Sequence, residues 1–287
     1  MALQTLARGY GLIEGPLWSP ELGLLFSDVH HGGVFRLARD GTVSTVVPHR
    51  RGIGGLAWHV AGGLVVSGRN VAYKPLPDGD TRALLEREAA PGAIGFNDLT
   101  TDAAGRIYVG SLGASPFEAA AAPRMGELYC IDLDGRSRVV ASEVSLTNGL
   151  GFAPDGGTLY HSDSRVHTVW QYAVLPNGDL GPRQVFATTS RGLPDGLAVA
   201  VDGSVWVALA DGGQGVAVFT PDGREREFIP IPEQMCTSLC FGGADLRELY
   251  IVSGSDGTGQ DRGGAVHRLR VEVAGVPVPP ARVRLPA

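Results

Sequence analysis

Six short β-rich runs, GLLFSDV, GLVVSG, RIYVGSL, TLYHSD, SVWVAL and ELYIVSG, recur along the chain at a near-regular interval. They begin at Gly23, Gly63, Arg106, Thr158, Ser204 and Glu248, so successive steps are 40, 43, 52, 46 and 44 residues. A period of roughly 40–50 residues, each holding several short strands, marks a β-propeller blade: one small sheet cannot bury both its faces until it stacks on neighbours in a ring. Six such units fill the 287 residues, which predicts an all-β, six-bladed β-propeller forming a single domain over 1–287. The third unit shows the pattern strand by strand, as NDLTTD, RIYVGSL, GELYCIDL and RSRVVASEV. Turn pairs at Asp40, Asp78, Asp134, Asp155, Asn177, Asp202 and Asp222, each followed by Gly, serve tight turns between strands. The last unit ends in a Pro-rich stretch, so its fourth strand must come from ARVRLP near the C-terminus or TLARGY near the N-terminus. Either closure removes exposed sheet edges.

A second register has the same period. The residues opening the first strand (A) of each unit are Glu14, Gly54, Asn97, Asn148, Asp195 and Thr237 or Ser238, at steps of 40, 43, 51, 47 and about 42. In a propeller the A strands line the central channel, so one register repeated around the ring converges near the axis. Asn is a poor residue for entering a buried strand, and four of the six positions carry Glu, Asn, Asn or Asp. Convergent buried carboxylates repel and desolvate badly unless a cation sits between them. Two carboxylates and two amides are all-oxygen ligands that suit a hard divalent ion. A central metal site is therefore expected, with Ca2+ the leading ion and Mg2+, Mn2+ or Zn2+ as alternatives; the absence of His and Cys disfavours zinc.

Strand alternation places the loops between the second and third strands (B–C loops) on the metal side of the ring. They carry His30 and His31, Arg69 and Asn70, residues 112–125, residues 163–165, Asp211, and Ser255 with Asp256. The longest, GASPFEAAAAPRM, is expected at the mouth as a substrate-selecting lid.

Composition narrows the partners. A formal charge of −6 with no run of Lys or Arg gives no footprint for nucleic acid or an anionic membrane, which leaves a small-molecule substrate. No run of 18 apolar residues and no long apolar leader segment is present, so a soluble, cytoplasmic protein, monomeric or a small homo-oligomer, is expected. Cys130, Cys236 and Cys240 are read as reduced, buried thiols. No GxSxG nucleophile elbow occurs, and no Trp-Asp pair of the kind carried by interaction propellers.

The stretches EGPLW (14–18), FNDL (96–99), TNGLGFAPDG (147–156) and PDGLAVAVDGSVWVA (194–208) together resemble the gluconolactonase, regucalcin and luciferin-regenerating-enzyme family over essentially the whole chain. The resemblance implies that Glu14, Asn148 and Asp195 bind a divalent metal, usually calcium, with Asn97 beside metal and substrate. It also implies lactone hydrolysis. The chemistry expected is metal-assisted: the metal polarises the carbonyl, Asp195 acts as general base on a water or, as the alternative, as a nucleophile on the substrate, and Asn97 orients the carbonyl. Asp98, His30, Arg69 and Phe117 join Asn97 as expected substrate contacts. Sugar-lactone members often carry Arg where this chain has Gly95, which makes a less polar lactone or ester plausible. The rivals are a metal-dependent phosphotriesterase, another propeller enzyme with changed chemistry, and a non-catalytic calcium-binding scaffold.

Overall fold

The computed structural model describes residues 2–117, 124–255 and 259–286. Each of the six recurring runs is the second strand of a four-stranded antiparallel sheet, at Gly23–Asp28, Gly63–Val66, Ile107–Leu112, Thr158–Asp163, Val205–Ala210 and Glu248–Gly254. The A strands are Ile13–Ser19, Leu56–Trp58, Gly95–Thr101, Thr147–Phe152, Leu193–Val199 and Met235–Gly242. Each A strand touches the A strand of the next sheet, and the last touches the first, which closes a six-bladed β-propeller around one axis. Among the described residues helix is confined to two three-residue 3-10 turns, Arg87–Ala89 and Ser164–Val166.

The core consists of six apolar clusters, one between each pair of neighbouring blades. Blade 3 shows why its strands read as continuous apolar runs. Ile107, Val109 and Ile131 face blade 2, while Tyr108, Leu128 and Cys130 face blade 4. A sheet buried on both faces has no polar side to alternate with. Turn chemistry follows the Asx pattern, with Asp40, Asp134, Asp155, Asn177 and Asp202 each accepting from the N–H two residues on. Of the cysteines, Cys130 and Cys236 are buried and Cys240 is half-buried; all three are free.

Both ends of the chain fasten the ring. The N-terminal strand Gln4–Tyr10 pairs with Gly264–Arg270 and is the fourth strand of blade 6, so the N-terminal candidate closes the propeller. The C-terminal stretch instead crosses the base. Val276 N–H donates to the Val199 carbonyl of blade 5, Thr101 Oγ1 of blade 3 to the Pro279 carbonyl, and Ala281 N–H to the Trp58 carbonyl of blade 2. Arg282 and Arg284 N–H groups reach the carbonyls of Gly105 and Leu133, and His59 Nε2 meets the Val283 carbonyl at 3.0 Å. Ala281 and Val283 are buried in the cluster between blades 2 and 3.

This strap joins blades 2, 3 and 5 through one segment. A chain ending at Gly275 loses that apolar burial and those hydrogen bonds, of order 3 kcal/mol, and should melt roughly 6–12 °C lower. Calorimetry on the shortened chain checks this; an unchanged Tm would show the strap to be passive.

Candidate functional site

The A strands reach the axis with a shared irregularity. In five of six blades the pairing of A with B slips by one residue at the polar register: between Glu14 and Leu17, Phe96 and Leu99, Thr147 and Leu150, Pro194 and Leu197, and Cys236 and Ser238. The short A strand of blade 2 pairs without a slip. Such a β-bulge leaves a residue outside the ladder and re-aims its side chain. Glycines then allow the backbones to approach. A Cβ on Gly149 would collide with the Asp195 carbonyl and the Leu197 N–H, and one on Gly196 would strike Ser238. A Cβ on Gly54 would occupy the place of Asn97 Oδ1.

Glu14, Asn97, Asn148 and Asp195 consequently line one cavity of about 440 Å³ at the B–C-loop end of the channel. Glu14 and Asp195 are buried. Burial is the largest influence raising both carboxyls well above the ordinary range, and negative neighbours add to it, Asp195 and Asp98 for Glu14, and Asp98 for Asp195. Hydrogen bonds from the Gly15 and Gly196 N–H groups oppose the shift without cancelling it. Asp195 Oδ1 is buried with no hydrogen-bond partner among the described residues.

A relay of hydrogen bonds holds the amides. Asn97 Nδ2 donates to the Thr147 carbonyl at 2.9 Å and to Asn148 Oδ1 at 2.8 Å. Asn148 Nδ2 donates to Ser164 Oγ at 2.9 Å, and Ser164 Oγ donates to the Pro194 carbonyl at 2.7 Å. The direction is forced. Ser164 has one proton, given to a carbonyl that can only accept, so it must accept from Asn148, and the Asn148 carbonyl oxygen, which accepts from Asn97 Nδ2, keeps its second lone pair for a ligand. Ser164, at the start of a 3-10 turn, ties a blade 4 side chain to the peptide just before Asp195. Sequence reading placed it only in a B–C loop; its signal was the Ser-Asp-Ser ending of strand B.

The other expected substrate contacts are dispersed. Phe117 lines the cavity, and so does Pro116, so the described part of the blade 3 loop is at the mouth; residues 118–123, like Asp256 of blade 6, lie outside the described residues. His30 packs edge-on against Phe117 with centroids 5.3 Å apart and does not itself line the cavity. Arg69 is on the exposed rim, paired with Glu88 Oε1 at 3.1 Å. Asp98 lines a second channel cavity of about 940 Å³ roofed by the strap residues 276–279, and is still close enough to act on Glu14 and Asp195. Burial pushes the Asp98 carboxyl up to about 7 against a 2.8 Å hydrogen bond from Leu99 N–H.

Among the described residues no three His, Cys, Asp or Glu side chains group as a metal-ligand set. The donors gathered here are of another composition: two buried carboxylates, one with an orphaned oxygen, and an amide oxygen whose orientation Ser164 and Asn97 fix. An oxygen-only set with repelling charges suits a hard divalent cation and is a poor match for soft or imidazole-seeking metals.

The family model for the SMP-30/Gluconolactonase/LRE-like region matches residues 12–255. A 6-deoxy-6-sulfogluconolactonase of Pseudomonas putida is 35% identical over 282 residues, which cover 93% of each chain. A pentonolactonase of Haloferax volcanii is 32% identical over 291 residues, covering 95% of each. A regucalcin of Agrobacterium tumefaciens, described as a calcium-binding protein, superposes with a TM-score of 0.85 at 23% identity over 98% of both chains.

Two measurements probe the site. Its carboxyls have raised pKa values in the fold, so the cation-free fold binds protons more tightly than the unfolded chain. Stability is then greatest toward the ordinary carboxylate range and declines as pH rises toward about 7, the value to which burial raises the Asp98 carboxyl. With chelator present, Tm at about pH 5.5 should exceed Tm at about pH 7.5, and Asp195→Asn should narrow the gap; a Tm that rises with pH would contradict the charge argument. Ser164→Ala frees the Asn148 amide to rotate and should weaken divalent-cation binding by roughly tenfold or more, read by isothermal titration.

Proposed function

The chain belongs to the SMP-30/gluconolactonase/LRE-like family and is a lactone hydrolase of the gluconolactonase type; we propose that hydrolysis takes place in the mouth cavity, with Asp195 as general base beside a divalent cation. The observation that carries this reading is the buried, unpartnered Oδ1 of Asp195, set beside Glu14 at the floor of that cavity.

Glu14, Asp195 and the carbonyl oxygen of Asn148 would hold the cation, and calcium is the ion their chemistry favours. When bound, the cation supplies positive charge against the oxyanion that develops as the lactone carbonyl is attacked. Asp195 accepts the proton of the attacking water. The ring C–O bond then breaks, the leaving alkoxide takes the proton held by Asp195 to become an alcohol, and the new carboxylic acid releases its proton to solvent, giving a carboxylate. Asn97 has both N–H bonds committed to Thr147 and Asn148, so in this arrangement it positions Asn148 and offers Oδ1 to a substrate hydroxyl. Burial serves the reaction by excluding competing water from around the two carboxylates.

Proton release on mixing with a panel of lactones, with and without chelator, tests the activity and its dependence on a cation. Asp195→Asn keeps an oxygen ligand and loses the base, so turnover should fall by roughly a hundredfold or more while cation binding weakens. Undiminished turnover in that variant would remove the general-base role, and full activity in chelator would remove the cation.

A further inference from the structure

Blade 6 carries neither a carboxylate nor an amide at the polar register. Cys236 pairs with Ser253 and Ser238 with Val252, so the bulge of this blade leaves Thr237 outside the ladder. Thr237 is fully buried and does not line the mouth cavity. Its Oγ1 lies 2.6 Å from the Ile13 carbonyl of blade 1 and 3.2 Å from the Val252 carbonyl of its own blade. A hydroxyl has one proton, and the shorter contact takes it. Ile13 is the residue just before Glu14.

The same bond recurs around the ring. Ser27 Oγ of blade 1 donates to the Ile53 carbonyl of blade 2 at 2.6 Å, Asn97 Nδ2 of blade 3 to the Thr147 carbonyl of blade 4 at 2.9 Å, and Ser164 Oγ of blade 4 to the Pro194 carbonyl of blade 5 at 2.7 Å. Between blades 2 and 3 a backbone group serves, with Gly68 N–H donating to the Phe96 carbonyl at 3.2 Å. Each donor belongs to one blade, and each acceptor is the peptide immediately before the register residue of the next: Glu14, Gly54, Asn97, Asn148 and Asp195. The Glu14 carboxylate itself takes a hydrogen bond from the adjacent Gly15 N–H and from no side chain among the described residues. Its place therefore depends on its own backbone.

We infer that Thr237 is a positioning residue for Glu14: its hydroxyl, donated from blade 6 to blade 1, fixes the Ile13 peptide and with it the carboxylate that would hold the cation. The inference rests on the cation-assisted lactone-hydrolase reading and adds to it a residue that does for Glu14 what Ser164 does for Asp195. Without the hydroxyl, the buried Ile13 carbonyl loses its donor and the peptide is freer to turn. Groups that orient a metal ligand from behind typically alter affinity by about 10- to 100-fold when removed.

Calcium binding followed by isothermal titration in Thr237→Val, Thr237→Ser and Ser253→Ala tests this. Valine keeps the branched shape and removes the hydroxyl, whereas serine keeps the hydroxyl. Ser253 is equally buried in the same blade, but its Oγ accepts from Ala265 N–H at 2.9 Å within blade 6, so its loss reports on stability alone. Thr237→Val should weaken calcium binding by roughly tenfold or more, Thr237→Ser should regain most of it, and Ser253→Ala should melt lower yet bind as the wild type does. Thr237→Ala removes the same hydroxyl and is read in the same way if the valine variant does not fold. Unchanged affinity in folded Thr237→Val, or an equal loss in Ser253→Ala, would overturn the inference, and calcium-dependent lactone hydrolysis by the same proteins would leave the hydrolase reading standing. Affinity lost in Thr237→Val, from a wild type that binds calcium and hydrolyses no lactone, would refute the hydrolase reading and keep Thr237 in its role.

Discussion

Electrostatic repulsion at the axis is the condition around which this propeller is arranged. Six A strands converge there, and glycines at 54, 149 and 196 let neighbouring backbones approach to distances that no Cβ would permit. Close approach brings Glu14 and Asp195 together, with Asp98 near enough to raise both. A fold selected only for stability would place apolar residues at such a point, since unpaired buried charge is among the costliest features a core can hold. Here the apolar contribution comes from the six clusters between blades, which leaves the axis free to carry strain.

The site depends equally on neutral groups. Asn97, Asn148 and Ser164 connect blades 3, 4 and 5 by hydrogen bonds whose directions follow from the number of protons each group has. The amide of Asn148 is therefore oriented before any ligand arrives, and little reorganisation remains to be done on binding.

Much of this was legible in the sequence, for reasons that differ by element. Blade number followed from the period, because strands such as Gly23–Asp28 are buried on both faces and stand out as unbroken apolar runs. Glu14, Asn97, Asn148 and Asp195 were conspicuous because their polarity conflicts with the strands they open. The bulges were not legible, since a one-residue slip changes pairing without changing composition. Nor was the placing of Asn97 and Asp98 against two different chambers. The closing strand was ambiguous between two short segments of similar alternation. The N–H groups of Ala281, Arg282 and Arg284 are instead spent on carbonyls of blades 2 and 3, so the C-terminal segment is a strap and the N-terminal segment closes the ring.

Closure by Gln4–Tyr10 against Gly264–Arg270 also has a temporal side. The earliest-made strand of the propeller pairs with its latest-made strand, so the sheet it completes cannot exist until the whole ring has been synthesised. At about 5–20 residues per second the wait is roughly 13–50 s, during which the nascent segment must stay unpaired without recruiting a neighbour. Its composition suits that interval: Gln4, Thr5 and Arg8 interrupt the apolar positions of QTLARGY, and Leu6, Ala7 and Tyr10 are the side chains it packs against the cluster between blades 6 and 1. Long-range pairing of this kind raises contact order and slows the final step of folding. In exchange, no blade can peel from the mature ring alone, because every sheet is held on both sides.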